Sequence, residues 1–135
     1  MPVEAEVAHS DRRRTQQRRA IERAFRAAGR PLSPREVLGC AAAEVPGLGL
    51  ATVYRTIRSL VDEGWLRPVE LPGAASRYEV GGKHHHHHFH CRRCDRVYEV
   101  EDCPGRLGEL APEGFRPDAH EIILYGLCRT CVAGA

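Results

Sequence analysis

Two cysteine pairs with the same spacing, Cys91-Arg92-Arg93-Cys94 and Cys128-Arg129-Thr130-Cys131, constrain this chain more than any other feature. Thiolates two residues apart curl around one ion, and two such knuckles complete a tetrahedral shell of four sulfurs. Zinc suits that shell because it is redox-inert and accepts soft thiolates. A closed shell leaves no position for a reacting group, so the expected role is structural. In a small domain the binding energy of such an ion is largely folding energy. The competing reading is a thioredoxin-like redox motif. The knuckle comes twice, and its first copy does not sit at a strand-to-helix junction, which favours zinc.

The expected compartment agrees. No apolar run reaches the roughly 18 residues of a membrane span, and no hydrophobic stretch follows the N-terminal arginines as it would in a secretory signal. The chain is therefore expected in the cytoplasm, without a membrane partner. Disulfides are rare there, so six cysteines point to metal rather than to a disulfide framework.

A length of 135 residues allows one ordinary domain or two very small ones. Small domains bury a modest fraction of their surface and need help from a metal or a partner subunit. The net charge of +2 says little, but its distribution says more. Arg12, Arg13, Arg14, Arg18, Arg19, Arg23, Arg26 and Arg30 crowd one end. Such a basic arm fits nucleic-acid contact, although a charge run is more often a solvated helix face.

Residues 1–10 show no pattern and read as a loose tail. From about Arg13 the spacing of Ala20, Ile21, Ala24, Phe25 and Ala28 predicts a helix, capped by Gly29 and stopped by Pro31. Ser33, Pro34 and Glu36 then form the signature of a capping box, opening a second helix to about Glu44. A third helix follows from Ala51 to about Glu63, with Val53, Ile57, Leu60 and Val61 as its buried stripe. Two strand-like runs, Trp65–Leu71 and Ser76–Val80, flank the turn Pro72–Ala75. Three helices and a hairpin predict a winged helix-turn-helix. The boundary is placed at Gly81-Gly82, giving 1–81 as a winged-helix DNA-binding domain and 82–135 as a metal-binding domain. The fold class is thus α+β: an N-terminal winged helix, then a small α/β unit with a structural zinc site. In that unit Phe89–His90, Val97–Val100 and Glu121–Tyr125 read as strands and Pro104–Leu110 as a short helix.

From His84 onward the chain holds seven of the eight histidines and five of the six cysteines. His84 to His88 is a run of five, with His90 beyond Phe89. A mid-chain run beside a knuckle is not an engineered tag; a solvated loop or metal ligation remains. If the run enters a strand, alternate residues face opposite sides. His86 and His88 then point one way and His85 and His87 the other, so one stretch feeds two sites. Glu79, Glu99, Glu101, Asp102 and His120 could complete mixed shells, and imidazole leaves the metal open.

These features together resemble the ferric uptake regulator (Fur) family, over about residues 12–131. The marks are Gly49-Leu50-Ala51-Thr52-Val53-Tyr54-Arg55-Thr56, Ser76-Arg77-Tyr78-Glu79, the histidine run, the first knuckle, His120, and Tyr125-Gly126-Leu127 before the second knuckle. The resemblance implies a homodimer that binds palindromic, A·T-rich double-stranded operator DNA. Tyr54 and Arg55 match residues that touch bases, through a thymine methyl and a guanine edge. Thr52 would lie near phosphates, and Arg13, Arg14 and Arg18 match the basic segment that binds phosphate or the minor groove. The regulatory metal site falls on Glu79, His86, His88 and Glu99, and a second one on His85, His87 and His120.

Three departures from the family pattern bear on the metal. Iron- and peroxide-type members carry a histidine just before the second helix, where this chain has Pro31. Zinc-type members use a cysteine and an aspartate around the hinge, where this chain has Gly81 and Arg67. Cys40, Cys103 or His90 could supply an unusual ligand, the first being more simply a buried small residue of the second helix. The acid of the second regulatory site aligns with Arg106, leaving Glu101, Asp102, Cys103 or Glu109 to substitute.

The expected function is a metal-dependent repressor of metal uptake genes, loaded with zinc, with iron(II) or manganese(II) as the runner-up and peroxide sensing behind them. Metal would draw the winged helices and dimer core into a DNA-competent arrangement. An enzyme with a small-molecule substrate is not expected, since no H-E-x-x-H or comparable motif appears. A metal-storage or chaperone protein explains the ligands but not the recognition helix or the arginine arm.

Overall fold

The structure, a computed structural model, describes residues 2–134, with side chains from His9 onward. The chain divides into two compact units, Met1–Gly82 and Lys83–Ala135.

The first unit opens with α1, Pro2–Ala28. The expected loose tail is therefore helical. Residues 2–12 lack an apolar stripe, which is why periodicity missed them, but they contain Glu4, Ala5, Glu6 and Ala8 and no interior glycine or proline. Once a helix is nucleated by the packed segment, such residues extend it at little cost. Packing comes from the other end, where Ala20, Ile21, Ala24 and Phe25 are buried. Gly29 takes φ +60 and ends the helix, its N–H bonding the Phe25 carbonyl at 3.3 Å.

Helix α2 spans Pro34–Ala41. Ser33 Oγ accepts from the Glu36 N–H at 3.2 Å, and Glu36 Oε1 accepts from the Ser33 N–H at 3.2 Å. Both bonds satisfy donors the helix cannot. The helix ends short of the expected Glu44, and Cys40 on it is exposed rather than buried. Helix α3, Leu50–Asp62, buries Val53, Ile57 and Leu60. Gly64, at φ +81, turns the chain into strands β1, Leu66–Val69, and β2, Arg77–Val80, which pair antiparallel with Leu66 opposite Val80. Leu32 extends this wing by exchanging two 2.9 Å backbone bonds with Tyr78. The three helices and the wing enclose one core built on Ile21, Phe25, Leu32, Val37, Val53, Ile57, Leu60 and Leu66. Each buried Leu, Ile or Phe side chain of this kind contributes about 1.5–3 kcal/mol, so this unit has an apolar core of its own.

The second unit is built differently. Strands β3, His87–Cys91, β4, Val97–Val100, and β5, Ile123–Gly126, form a sheet in the order β4-β3-β5. β3 runs antiparallel to β4 but parallel to β5, with His88 opposite Glu99 on one side and Ile123 on the other. The expected helix at Pro104–Leu110 is only a 3-10 turn at Leu107–Leu110, and a short helix α4, Arg129–Ala133, follows the sheet. Pro104 and Gly105, at φ +77, keep the first part of the expected helix from forming. Among the described residues of this unit, the buried side chains are His87, His90, Cys91, Val97 and Cys128. Four of these five are histidine or cysteine, so the unit has metal-ligand chemistry where an apolar core would stand. Leu110, Phe115, Leu124, Tyr125, Leu127 and Val132 are exposed. No helix among the described residues is long and apolar enough to cross a membrane.

Candidate metal centres and nucleic-acid interface

The first knuckle leaves β3 at Cys91 and turns back through Asp95, which takes φ 65. The turn closes with the Asp95 N–H on the Cys91 carbonyl at 3.0 Å and the Cys91 N–H on the Arg96 carbonyl at 2.9 Å. Asp95 Oδ1 also lies 2.6 Å from His90 Nε2, so His90 is engaged within the knuckle. The second knuckle begins at Cys128, which precedes the first turn of α4. Parallel pairing of β5 with β3 sets Cys91 opposite Gly126 and so brings the knuckles together.

One sulfur from each of Cys91, Cys94, Cys128 and Cys131 lies within 4.8 Å of the others, with Cys94 and Cys128 at 3.8 Å. A tetrahedral ion with zinc–sulfur bonds of 2.3 Å demands a sulfur–sulfur edge of about 3.8 Å, so the four residues fit zinc. The backbone N–H groups of Cys94, Cys128 and Arg93, aimed at Cys91, hold its thiol down at about 5. Burial pushes the Cys131 thiol up to about 12 and the Cys94 thiol up as well. Four thiolates cannot share this space unaided, and a dication removes the conflict by deprotonating all of them. Tyr98 on β4 adds a side-chain hydrogen bond to Cys128 that keeps its thiol low, after the larger effect of the Cys131 backbone. Sequence reasoning missed Tyr98; its alternation with Val97 on β4 was the available signal.

A second group forms where the histidine run enters β3. His85 Nε2 lies 3.1 Å from His87 Nε2 and 3.1 Å from His120 Nε2, and Cys103 Sγ lies 3.1 Å from His120 Nε2. All four ligand atoms fall within 4.8 Å of one another. Tetrahedral zinc needs nitrogen–nitrogen edges of roughly 3.3 Å and nitrogen–sulfur edges of roughly 3.6 Å, so small shifts would seat an ion. Burial, then the imidazoles of His85 and His120, hold His87 below its usual range and so in the neutral form that ligates. Its Nδ1 accepts the Ile122 N–H at 3.0 Å. Ligation through Nε2 would end that bond, at a cost of about 1–3 kcal/mol against the roughly 10–16 kcal/mol of a structural zinc. Three of these residues are those expected for the second regulatory site, and the fourth donor within reach of them is Cys103.

The remaining expected ligands fall as follows. His86 and His88 lie beside each other, ring centroids 4.9 Å apart. Glu99, opposite His88 on β4, forms an ion pair with Lys83. Glu79 stands on β2 of the first unit, opposite Arg67.

The outer face of α3 carries the expected DNA contacts. With Val53, Ile57 and Leu60 turned inward, Tyr54 is 51% exposed, and Arg55 reaches Thr52 Oγ1 at 3.2 Å. A half-exposed tyrosine is not core packing, so this ring is available to a partner. On α1, Arg13 and Arg14 are exposed, and an Arg13 nitrogen lies 3.8 Å from the position a side chain on Gly47 would take. Arg18 differs: it bonds Glu22 at 3.1 Å and holds Glu63 with two nitrogens, tying α1 to the end of α3.

The ferric uptake regulator family model matches residues 9–125, and the chain belongs to that family. It is 38% identical over 84 residues to the ferric uptake regulation protein of Shigella flexneri, a match covering 60% of this chain. That match spans 57% of the relative's length, and the match to the corresponding protein of Campylobacter jejuni spans 55%. Among solved structures, the fold superposes on the Helicobacter pylori ferric uptake regulator, described as having three functional metal-binding sites. The TM-score is 0.67 at 25% identity, over 86% of this chain and 79% of that one. It also superposes on FurB of M. tuberculosis, a zinc uptake regulator, with TM-score 0.53 at 30% identity, over 92% of this chain and 98% of that one.

Proposed function

We propose that this chain is a metal-responsive transcriptional repressor that binds palindromic operator DNA as a homodimer and controls metal uptake genes in the cytoplasm. The observation that carries the reading is one chain joining an exposed recognition face, Tyr54 and Arg55 on α3, to a unit whose interior is metal ligands. A storage protein needs the second and has no use for the first. Family membership points the same way.

In this reading Cys91, Cys94, Cys128 and Cys131 hold a structural zinc that supplies the folding energy the second unit lacks. The exposed apolar side chains on and beside β5, Leu124, Tyr125 and Leu127, support a partner subunit there. The regulatory set is the one the family resemblance implies, Glu79, His86, His88 and Glu99. An ion bound better by the DNA-competent arrangement would then raise DNA affinity, and DNA would raise ion affinity by the same factor.

Zinc is the sensed metal we favour. Pro31 removes the iron-type histidine, Cys103 adds a soft donor, and a zinc uptake regulator stands among the structural neighbours. Iron(II) or manganese(II) is the alternative. Chelator-treated protein titrated with each ion, with metal content and operator binding read on the same samples, decides between them. Zinc should switch on DNA binding at the lowest free concentration; a switch by iron or manganese alone overturns the choice of metal, and operator binding indifferent to all three overturns the function.

A further inference from the structure

We propose that Cys103 is the fourth ligand of the His85, His87 and His120 site, and that its thiolate makes this site zinc-selective. The proposal deepens the repressor reading by naming the metal class of one site, and its chemistry can be tested without DNA.

The four donors come from three separate segments: the histidine run at the start of β3, the loop after β4, and the loop before β5. Their convergence is a feature of the fold, not of local sequence. Nothing in the helix or strand pattern requires a cysteine at position 103, and its sulfur is 3.1 Å from His120 Nε2. The residue at the position where the family resemblance expects an acid, Arg106, offers no donor. Glu101, Asp102 and Glu109 are the nearby carboxylates, yet the mutually close set contains none of them.

Replacing the acid by a thiolate changes the selectivity. A carboxylate oxygen suits manganese and other hard ions; a thiolate suits zinc. Three neutral imidazoles and one thiolate also make a complete tetrahedral shell, the geometry zinc takes in closed sites. Manganese(II) and iron(II), which favour more ligands and oxygen donors, would have to recruit water.

Cobalt(II) is the probe, since it reports thiolate ligation by colour. The whole 135-residue chain, with zinc already counted in the four-cysteine site, is titrated with cobalt(II). We expect one further equivalent to bind, with an intense sulfur-to-cobalt charge-transfer band and tetrahedral ligand-field absorption. In Cys103→Ser the charge-transfer band should vanish while the tightly held zinc, and the melting curve recorded before cobalt is added, stay unchanged. Affinity should fall by more than the roughly 10- to 100-fold that loss of a hydrogen-bonding partner behind a ligand costs. Cys103→Asp should keep cobalt binding without the band and narrow the preference for zinc over manganese in direct competition. A wild-type titration without the band, a band that survives Cys103→Ser, or an unaltered zinc-to-manganese preference in Cys103→Asp overturns the proposal. Operator binding on the same samples separates the two ideas. A cobalt band without metal-dependent DNA retardation leaves the site standing and removes the repressor. Retardation without the band does the reverse.

Discussion

The sulfurs of Cys94 and Cys128 lie 3.8 Å apart although 34 residues separate them in the chain. That edge matches a single tetrahedral ion, and the unit around it buries only one aliphatic side chain, Val97, among the described residues. Removing the ion therefore removes most of what holds the unit together. Cys128→Ser, or exhaustive chelation, should unfold residues 83–134 while leaving the first unit intact. Hydrogen exchange would show rapid exchange across β3, β4 and β5 with protection kept in α1 to α3. Uniform protection in zinc-free protein would exclude a structural role.

Tyr54 and Arg55 should separate specificity from folding. Their neighbours Val53, Ile57 and Leu60 carry the core contacts of α3, so Tyr54→Ala and Arg55→Ala should leave thermal stability nearly unchanged. Each lost base contact costs about 1–3 kcal/mol of discrimination, read as weaker binding to operator with little change on random DNA. Equal losses on both would assign these side chains to the backbone instead.

Arg13 and Arg14 should behave oppositely. Both are exposed on α1. Replacing either by alanine should weaken operator and random DNA alike and reduce the salt-dependence slope by about one. An unchanged slope would mean that neither meets phosphate.

Ser33 caps α2 through a reciprocal pair of bonds with Glu36. Ser33→Ala should cost about 1 kcal/mol, seen in denaturant unfolding of metal-loaded protein as a lower midpoint with an unchanged slope. Because α2 supports α3, operator affinity should weaken only where the fold begins to melt.

Acid should release the clasp between α1 and α3. Hydrogen bonding to Arg18 holds the Glu63 carboxyl below its ordinary range. A lowered folded pKa contributes stability that is present above the unfolded value, about 4.3, and is lost as pH falls through the folded one. The melting difference between wild type and Glu63→Gln should therefore be greatest near neutrality and close below pH 4 or so. The pair is exposed, so the difference should be small and salt-sensitive. A difference that grew in acid would contradict the assignment.

Much of this molecule was legible because its signals are local. The Ser33–Glu36 box, the Val53–Ile57–Leu60 stripe and the two knuckles each announce themselves within a few residues. Long-range or propensity-driven features were not legible. Helix α1 runs back to Pro2 through residues without an apolar stripe, and the Leu32–Tyr78 bridge joins positions far apart in sequence. Cys103 could be named as one of four substitutes but not chosen, because the stretch after β4 that carries it and the stretch before β5 that carries His120 meet only in the folded chain. Cys40 departs from expectation for a simpler reason: cysteines are usually buried, and this one is exposed on a two-turn helix.

The parallel pairing of β3 with β5 also sets an order of birth. Cys91 and Cys94 wait for Cys128 and Cys131 to be made, and His85, His87 and Cys103 wait for His120. The first unit, whose core closes with Tyr78 and Val80 of the wing, is by then already whole. A ribosome delivers the N-terminal part first, so the reading head can exist before either the four-cysteine shell or the His85, His87, Cys103 and His120 shell is complete, and a chain cut short before position 120 would carry a recognition helix with both shells open.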